Sequence, residues 1–290
     1  MRRSKIRLSE SNANHVKTDY EKIAVFYTAT WESLTMDLHL NKLDQHFTLP
    51  VTRKVGFLRP LAWIKMGWQD LIKHPAPSLL YGLIISITGA LLLLFTLQDV
   101  HLYTTAITGF LLLAPLGAAG IYELTSEREE GRETSFMQSI HDLYKNGSQL
   151  AFLGLVLAFI AISWERTSAV LFALMYSGQI IEKQSIVQAL SGEFLPFTLA
   201  WMAGGFVLAC FVFALTAISI PLLADRELDS VTAMMTSLRA VAENLPAMAL
   251  WAALLVGFTA LGFATFLIGL IVIFPLLGHA TWYAYKELIE

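Results

Sequence analysis

Forty consecutive residues near the C-terminus, 246–285, contain no Asp, Glu, Lys or Arg. One α-helix of that length measures about 60 Å, roughly twice the hydrocarbon core of a bilayer. The run therefore predicts two membrane spans folded back on each other, with the turn near Gly262, Phe263, Ala264 and Thr265. The rest of the chain agrees. Of its 290 residues 56% are hydrophobic and 15% charged, and the mean hydropathy is +0.58, whereas soluble domains carry about 25% charged residues. The deficit excludes a water-soluble core and fits a bundle bathed in lipid.

Further apolar runs place the spans at about 78–97, 102–122, 148–164, 196–223, 246–263 and 265–285. A segment of helical periodicity with a polar back precedes each pair. In the first, Leu61, Ile64, Trp68, Leu71 and Ile72 lie opposite Lys65, Gln69, Asp70 and Lys73. In the second, Phe136, Met137, Ile140, Leu143 and Tyr144 lie opposite Gln138, His141, Asp142 and Lys145. In the third, Val231, Met234, Met235, Leu238 and Val241 lie opposite Thr232, Thr236, Arg239 and Glu243. The breakers that follow are His74-Pro75, Asn146-Gly147 and Asn244-Leu245-Pro246, and a Pro-Leu pair ends each unit, at Pro115, Pro221 and Pro275. The expected fold is an all-α polytopic membrane bundle: six transmembrane helices in three hairpins, each preceded by a cytoplasmic interfacial amphipathic helix, and an internal repeat. Asp70, Asp142 and Ala240 hold corresponding places in it.

Two small-residue rows spaced by four, Gly82/Ser86/Ala90 and Ala249/Ala253/Gly257, offer faces on which another helix can approach closely. Residues 167–195 read as an interfacial insertion on the far side. The alternative is a continuous helix over 150–176, which would hold Glu165 and Arg166 near the lipid boundary. Residues 1–50 read as a polar, partly disordered cytoplasmic segment. Ile23–Tyr27 is an island too short to span, and no apolar region follows the basic start to make a cleaved signal.

The net charge of −3 gives nucleic acid nothing to bind, so the expected partners are the lipid bilayer and a membrane-protein partner. The lone Cys210 excludes a disulfide framework and a Cys-rich zinc site. A phosphate loop of the Gly-Lys-Ser/Thr type is absent. Six spans put both ends on one side, and eighteen of the twenty Lys and Arg residues then fall there, with Arg166 and Lys183 opposite. Both termini are therefore expected in the cytoplasm.

Three motifs carry a resemblance. The first is Arg59-Pro60-Leu61-Ala62-Trp63 with Gly67-Trp68-Gln69-Asp70-Leu71 and Ser78–Gly82. The second is Pro221–Arg226 with Thr236–Val241 and Asn244, and the third is Gly278-His279-Ala280-Thr281-Trp282 with Ala284-Tyr285. Together they resemble the bacterial integral membrane proteins grouped as Domain of Unknown Function 2189, over residues of about 51–290. The resemblance implies an inner-membrane location and brings no established activity. Tyr283 stands where it would place a second histidine.

His279 is the foremost candidate site residue, because an ionisable side chain inside a span is by default a functional hypothesis. The structural alternative is that it bonds a carbonyl freed by Pro275. Bis-histidine haem needs two histidines facing each other at similar depth. His101, His74, His141, His15, His39 and His46 do not repeat on one spanning face, so no cofactor and no metal are expected. A second cluster gathers Asp225, Arg226 and Arg239 with Glu227 and Asp229 at the mouth of span four. Glu123, Glu127 and Arg128, in a charged loop over 123–133, match it after span two. Its functional reading is a polar gate or headgroup site; the alternative is a solvated loop with ion pairs worth about 0–1 kcal/mol each. No nucleophile-and-base set is visible, and spans one, two, five and six lack core charges for a proton relay. The function expected first is a non-enzymatic scaffold or assembly component. The alternatives are a transporter or channel for a small or lipid-like solute, and a lipid-modifying enzyme with His279 and Asp225 as acid and base.

Overall fold

The computed structural model describes residues 49–73, 75–96, 100–132, 135–144, 147–176 and 195–290. Readings that fall on residues 1–48, His74, Gln98-Asp99, Lys145-Asn146 and 177–194 lie outside the described residues. The described helices are α1 (Arg59–Lys73), α2 (Pro75–Thr96), α3 (Val100–Gly117), α4 (Ala119–Glu129), α5 (Phe136–Leu143), α6 (Gly147–Tyr176), α7 (Leu195–Thr216), α8 (Ser219–Asp225), α9 (Ser230–Glu243), α10 (Leu245–Ala264) and α11 (Leu270–Leu288). Among the described residues five stretches are long and apolar enough to cross a membrane: Pro75–Thr96, Thr105–Glu129, Gly147–Met175, Leu195–Asp225 and Leu245–Ala264.

The architecture is organised around α11, which packs against α1, α2, α4, α8 and α10. Thirteen of its 19 residues are buried, among them His279, Trp282 and Tyr285. Two close approaches hold it in place. A Cβ on Gly67 of α1 would lie 2.7 Å from the Ala280 nitrogen, and one on Gly82 of α2 would lie 2.1 Å from the Ile271 carbonyl oxygen. Pro275 explains the second contact. It has no N–H to give the carbonyl four residues earlier, that of Ile271, so this oxygen is free to meet the bare Cα of Gly82. One turn along α2, the Ser86 hydroxyl donates to the Leu267 carbonyl at 2.9 Å. The Gly82/Ser86 row thus works as its spacing predicts. The Ala249/Ala253/Gly257 row does not: all three residues are exposed, and nothing lies within 4 Å of a Cβ placed on Gly257.

Several expectations about helix ends are corrected. None of the three prolines ends its helix: Pro115 lies inside α3, Pro275 inside α11 and Pro221 inside α8. The breaks fall beside them, at Ala118 and at Ala217-Ile218. The second break has a visible cause. The Ser237 hydroxyl of α9 accepts from the Ile218 amide at 3.1 Å and donates to the Ala214 carbonyl at 2.7 Å, so it replaces one rung of the helical ladder. Residues 123–129 are not loop but the last turns of α4, with Glu123 and Glu127 buried. The helix expected over 148–164 does not stop at Trp164. It runs 30 residues to Tyr176, about 45 Å. The continuous-helix alternative therefore describes residues 147–176, and Glu165 pairs with Arg166 at 3.2 Å inside it.

The short helices also turn differently from a simple polar-out reading. α1 directs Trp63, Gly67, Asp70 and Leu71 inward and leaves Leu61, Trp68 and Ile72 exposed. α9 buries Thr232, Ala233, Thr236, Ser237 and Ala240 and leaves Val231 and Met235 exposed. Asp229 caps α9 by accepting from the Thr232 amide at 2.9 Å. Burial pushes its carboxyl up, but the Thr232 hydroxyl and the nearby amides hold it below the usual carboxylate range. The segment before α1 is tied to the end of α11 and to α9: Thr52 and Ile289 form an isolated antiparallel bridge, and Asn244 binds the Val55 amide and the Arg53 carbonyl at 2.8 and 3.0 Å.

Candidate functional site

The polar interior lies where α1, α2, α4 and α11 meet. His279 has no exposure to solvent. Its Nε2 is 2.9 Å from the Ser78 hydroxyl and its Nδ1 is 2.6 Å from the Thr125 hydroxyl. Thr125 lies 3.0 Å from the Ile121 carbonyl and donates to it. One assignment then satisfies every group: Nδ1–H donates to Thr125, and Ser78 donates to Nε2. The carbonyl freed by Pro275 plays no part, which corrects the structural reading of His279 made from sequence.

The network extends through Arg128. Its Nη2 approaches Ser78 at 3.4 Å, and its Nη1 lies 3.1 Å from the Asp70 carbonyl and 3.5 Å from the Asp70 carboxylate. Both side chains of this ion pair are nearly buried, at 10% and 7% exposure. The Tyr283 hydroxyl donates to the same carboxylate at 2.9 Å. Asp70, placed on a polar outer face by periodicity, is therefore an interior residue. Removing one partner of such a pair leaves an uncompensated charge, which makes the pair specific to this arrangement of helices.

The residues singled out from sequence fall into separate places. Asp225 accepts from the Tyr285 hydroxyl, with Lys286 Nζ at 3.5 Å and Arg226 Nε at 3.8 Å. Arg239 binds Glu243 at 2.8 Å on the exposed side of α9. Glu123 is buried on α4. His279 and Asp225 thus have different partners, and no acid–base pair is built from them. The sequence shows no nucleophile and base, yet the structure brings Ser78 and His279 together. A serine bonded to an oriented histidine is the geometry of an activated nucleophile. Here both residues are sealed, with no exposure at either, so the pair closes the core. Among the described residues no group of three or more His, Cys, Asp or Glu is placed to hold a metal ion.

A third polar set ties α1 to the end of α11. Arg59 Nε binds Glu287 at 2.7 Å, and the Trp63 indole donates to the same carboxylate at 2.8 Å. Burial pushes Glu287 up, but these two bonds and the Arg59 charge hold it below the usual carboxylate range. Reasoning from sequence missed Ser78, Thr125 and Glu287 as polar partners, and it placed Glu127 and Arg128 in a loop rather than in the interior.

A family described as a predicted integral membrane protein (DUF2189) matches residues 102–225. The match bears out the resemblance seen in the sequence over α3 to α8, and the chain is a multi-pass helical membrane protein. The first and third motifs lie outside the matched stretch, and of the second only Pro221–Asp225 lies within it. No curated protein and no solved structure matches the chain.

Proposed function

We propose that this chain is a non-enzymatic scaffold or assembly component of a bacterial inner membrane, with both ends in the cytoplasm. In this reading α11 is a sixth crossing, the crossings pair into three hairpins, and α1, α5 and α9 lie along the cytoplasmic interface. The exposed side chains of the short helices carry the reading. Trp68 is 46% exposed, Met137 71% and Met235 48%, while polar side chains of the same helices, Asp70, Asp142 and Thr236 among them, are buried. Apolar faces held outward at a bundle end suit the headgroup boundary and a neighbouring membrane protein. The interior polar groups support it as well, since His279, Asp70 and Arg128 are consumed in holding helices together. The excess of Lys and Arg on the proposed cytoplasmic side supports the orientation.

Purification in mild detergent from cells at native expression, followed by native mass spectrometry, tests the reading. The expected result is a stoichiometric protein partner that Trp68→Ala and Met235→Ala variants lose while still inserting. Normal partner recovery by both variants overturns it. So does a lone protein that carries a defined lipid or solute, which turns the assignment toward transport or lipid chemistry.

A further inference from the structure

Glu127 is the one carboxylate with no exposure at all among the described residues, and the network above does not use it; Glu123 and Asp142 are buried as well, at 8% and 6%. Glu127 lies on α4, one residue from Arg128. Both of its carboxyl oxygens are buried, and neither has a hydrogen-bond partner among the described residues. The charged groups nearby make their hydrogen bonds elsewhere. Arg128 turns its Nη atoms to Asp70 and Ser78, and its buried Nε has no partner among the described residues. Arg132 is shared between Glu130 at 2.7 Å and Asp142 at 3.4 Å and is 43% exposed. Asp142 of α5 also accepts from Gln138. From α2 the Tyr81 hydroxyl bonds Ser139, from α11 His279 is bonded on both sides, and from α8 Asp225 is bonded to Tyr285. The Ser135 amide lies close without completing a hydrogen bond, and it compensates Glu127 only in part, together with the Arg132 and Arg128 charges.

We infer that Glu127 is a proton-binding site, occupied when α4 and α5 are packed together. An ionised carboxylate without hydrogen bonds or a dedicated cation is not sustained in a buried place, and the group takes up a proton instead. A metal ion is the less suitable ligand, since no third His, Cys, Asp or Glu is placed to complete a shell among the described residues. Loss of the proton would put a negative charge at the α4–α5 contact beside Asp142 and Glu130. The contact is therefore closed with the proton bound and loosened without it. This holds whether or not the scaffold reading does, because it concerns one contact inside the bundle.

The test compares wild type with Glu127→Gln in lipid nanodiscs, by infrared difference spectroscopy and thermal unfolding from about pH 6 to about pH 9. The wild type is expected to show the carbonyl stretch of a protonated carboxylic acid that the variant lacks. That band should fade as pH rises, and the wild-type unfolding midpoint should fall with it while that of Glu127→Gln stays level. An absent band difference overturns the inference. A Glu127→Gln chain that fails to fold does so too, because a neutral isostere should replace a neutral acid. A midpoint raised by sodium, potassium or calcium in wild type alone overturns it in favour of a metal cation.

Discussion

A buried histidine needs a partner at each ring nitrogen, and His279 draws them from helices remote in sequence. Ser78 is 201 positions away and Thr125 is 154 positions away. That separation explains what could be read and what could not. A histidine inside an apolar run is visible because the residue type is rare there. Ser and Thr hydroxyls are common in such helices, and nothing local marks the two that reach it. Thr125→Val keeps the shape of the side chain and removes the acceptor for Nδ1–H. It is expected to destabilise the protein by about 1–3 kcal/mol, the range for a buried donor left without a partner. Thr125→Ser keeps the hydroxyl and should recover most of that loss, less the term for one missing methyl. Equilibrium unfolding in mixed micelles separates the two variants, and equal loss in both would mean that the methyl, not the hydroxyl, matters.

Between helices, the contact of α2 with α11 combines a glycine with a proline-freed carbonyl. Gly82→Ala would force a Cβ against the Ile271 carbonyl, which is backbone and has no rotamer to move to. Overpacking of this kind costs about 3 kcal/mol or more. Gly257→Ala is the matched control, since a Cβ there meets nothing within 4 Å, and the change should stabilise α10 by up to about 1 kcal/mol through helix propensity. Unfolding midpoints that fall equally in both variants would remove the close-approach explanation. The two small-residue rows looked alike as sequence. Spacing by four says which face a helix can approach, and only the tertiary arrangement says which face one does. The same limit applies to α6. Glu165 and Arg166 stood out as a boundary because charge is costly in lipid, yet an adjacent ion pair 3.2 Å apart lets the helix continue past them.

At the scale of the whole molecule, the apolar runs and the polar breaks between them were legible because helix length and bilayer thickness constrain them together. The inward turn of Asp70 and of the α9 threonines was not, since periodicity identifies two faces without saying which one meets protein. Orientation rests on the distribution of Lys and Arg and can be measured directly. The turn between α10 and α11 is sharp, with Phe266 and Leu267 at φ of 53° and 69°, and Phe266 is 90% exposed. The chain end at Glu290 is also exposed, beside Val51 to which its amide donates at 3.0 Å. Replacing the single Cys210 by Ser gives a background on which Phe266→Cys and Glu290→Cys can be placed one at a time. With both ends in the cytoplasm and α11 crossing, a membrane-impermeant maleimide added to spheroplasts should label Cys at 266 and spare Cys at 290 until the membrane is opened. Labelling of both from outside would reverse α11 out of the membrane, and protection of 266 with labelling of 290 would invert the orientation. The first result would remove the sixth crossing; the second would place α1, α5 and α9 away from the cytoplasm and remove the surface on which the scaffold reading depends.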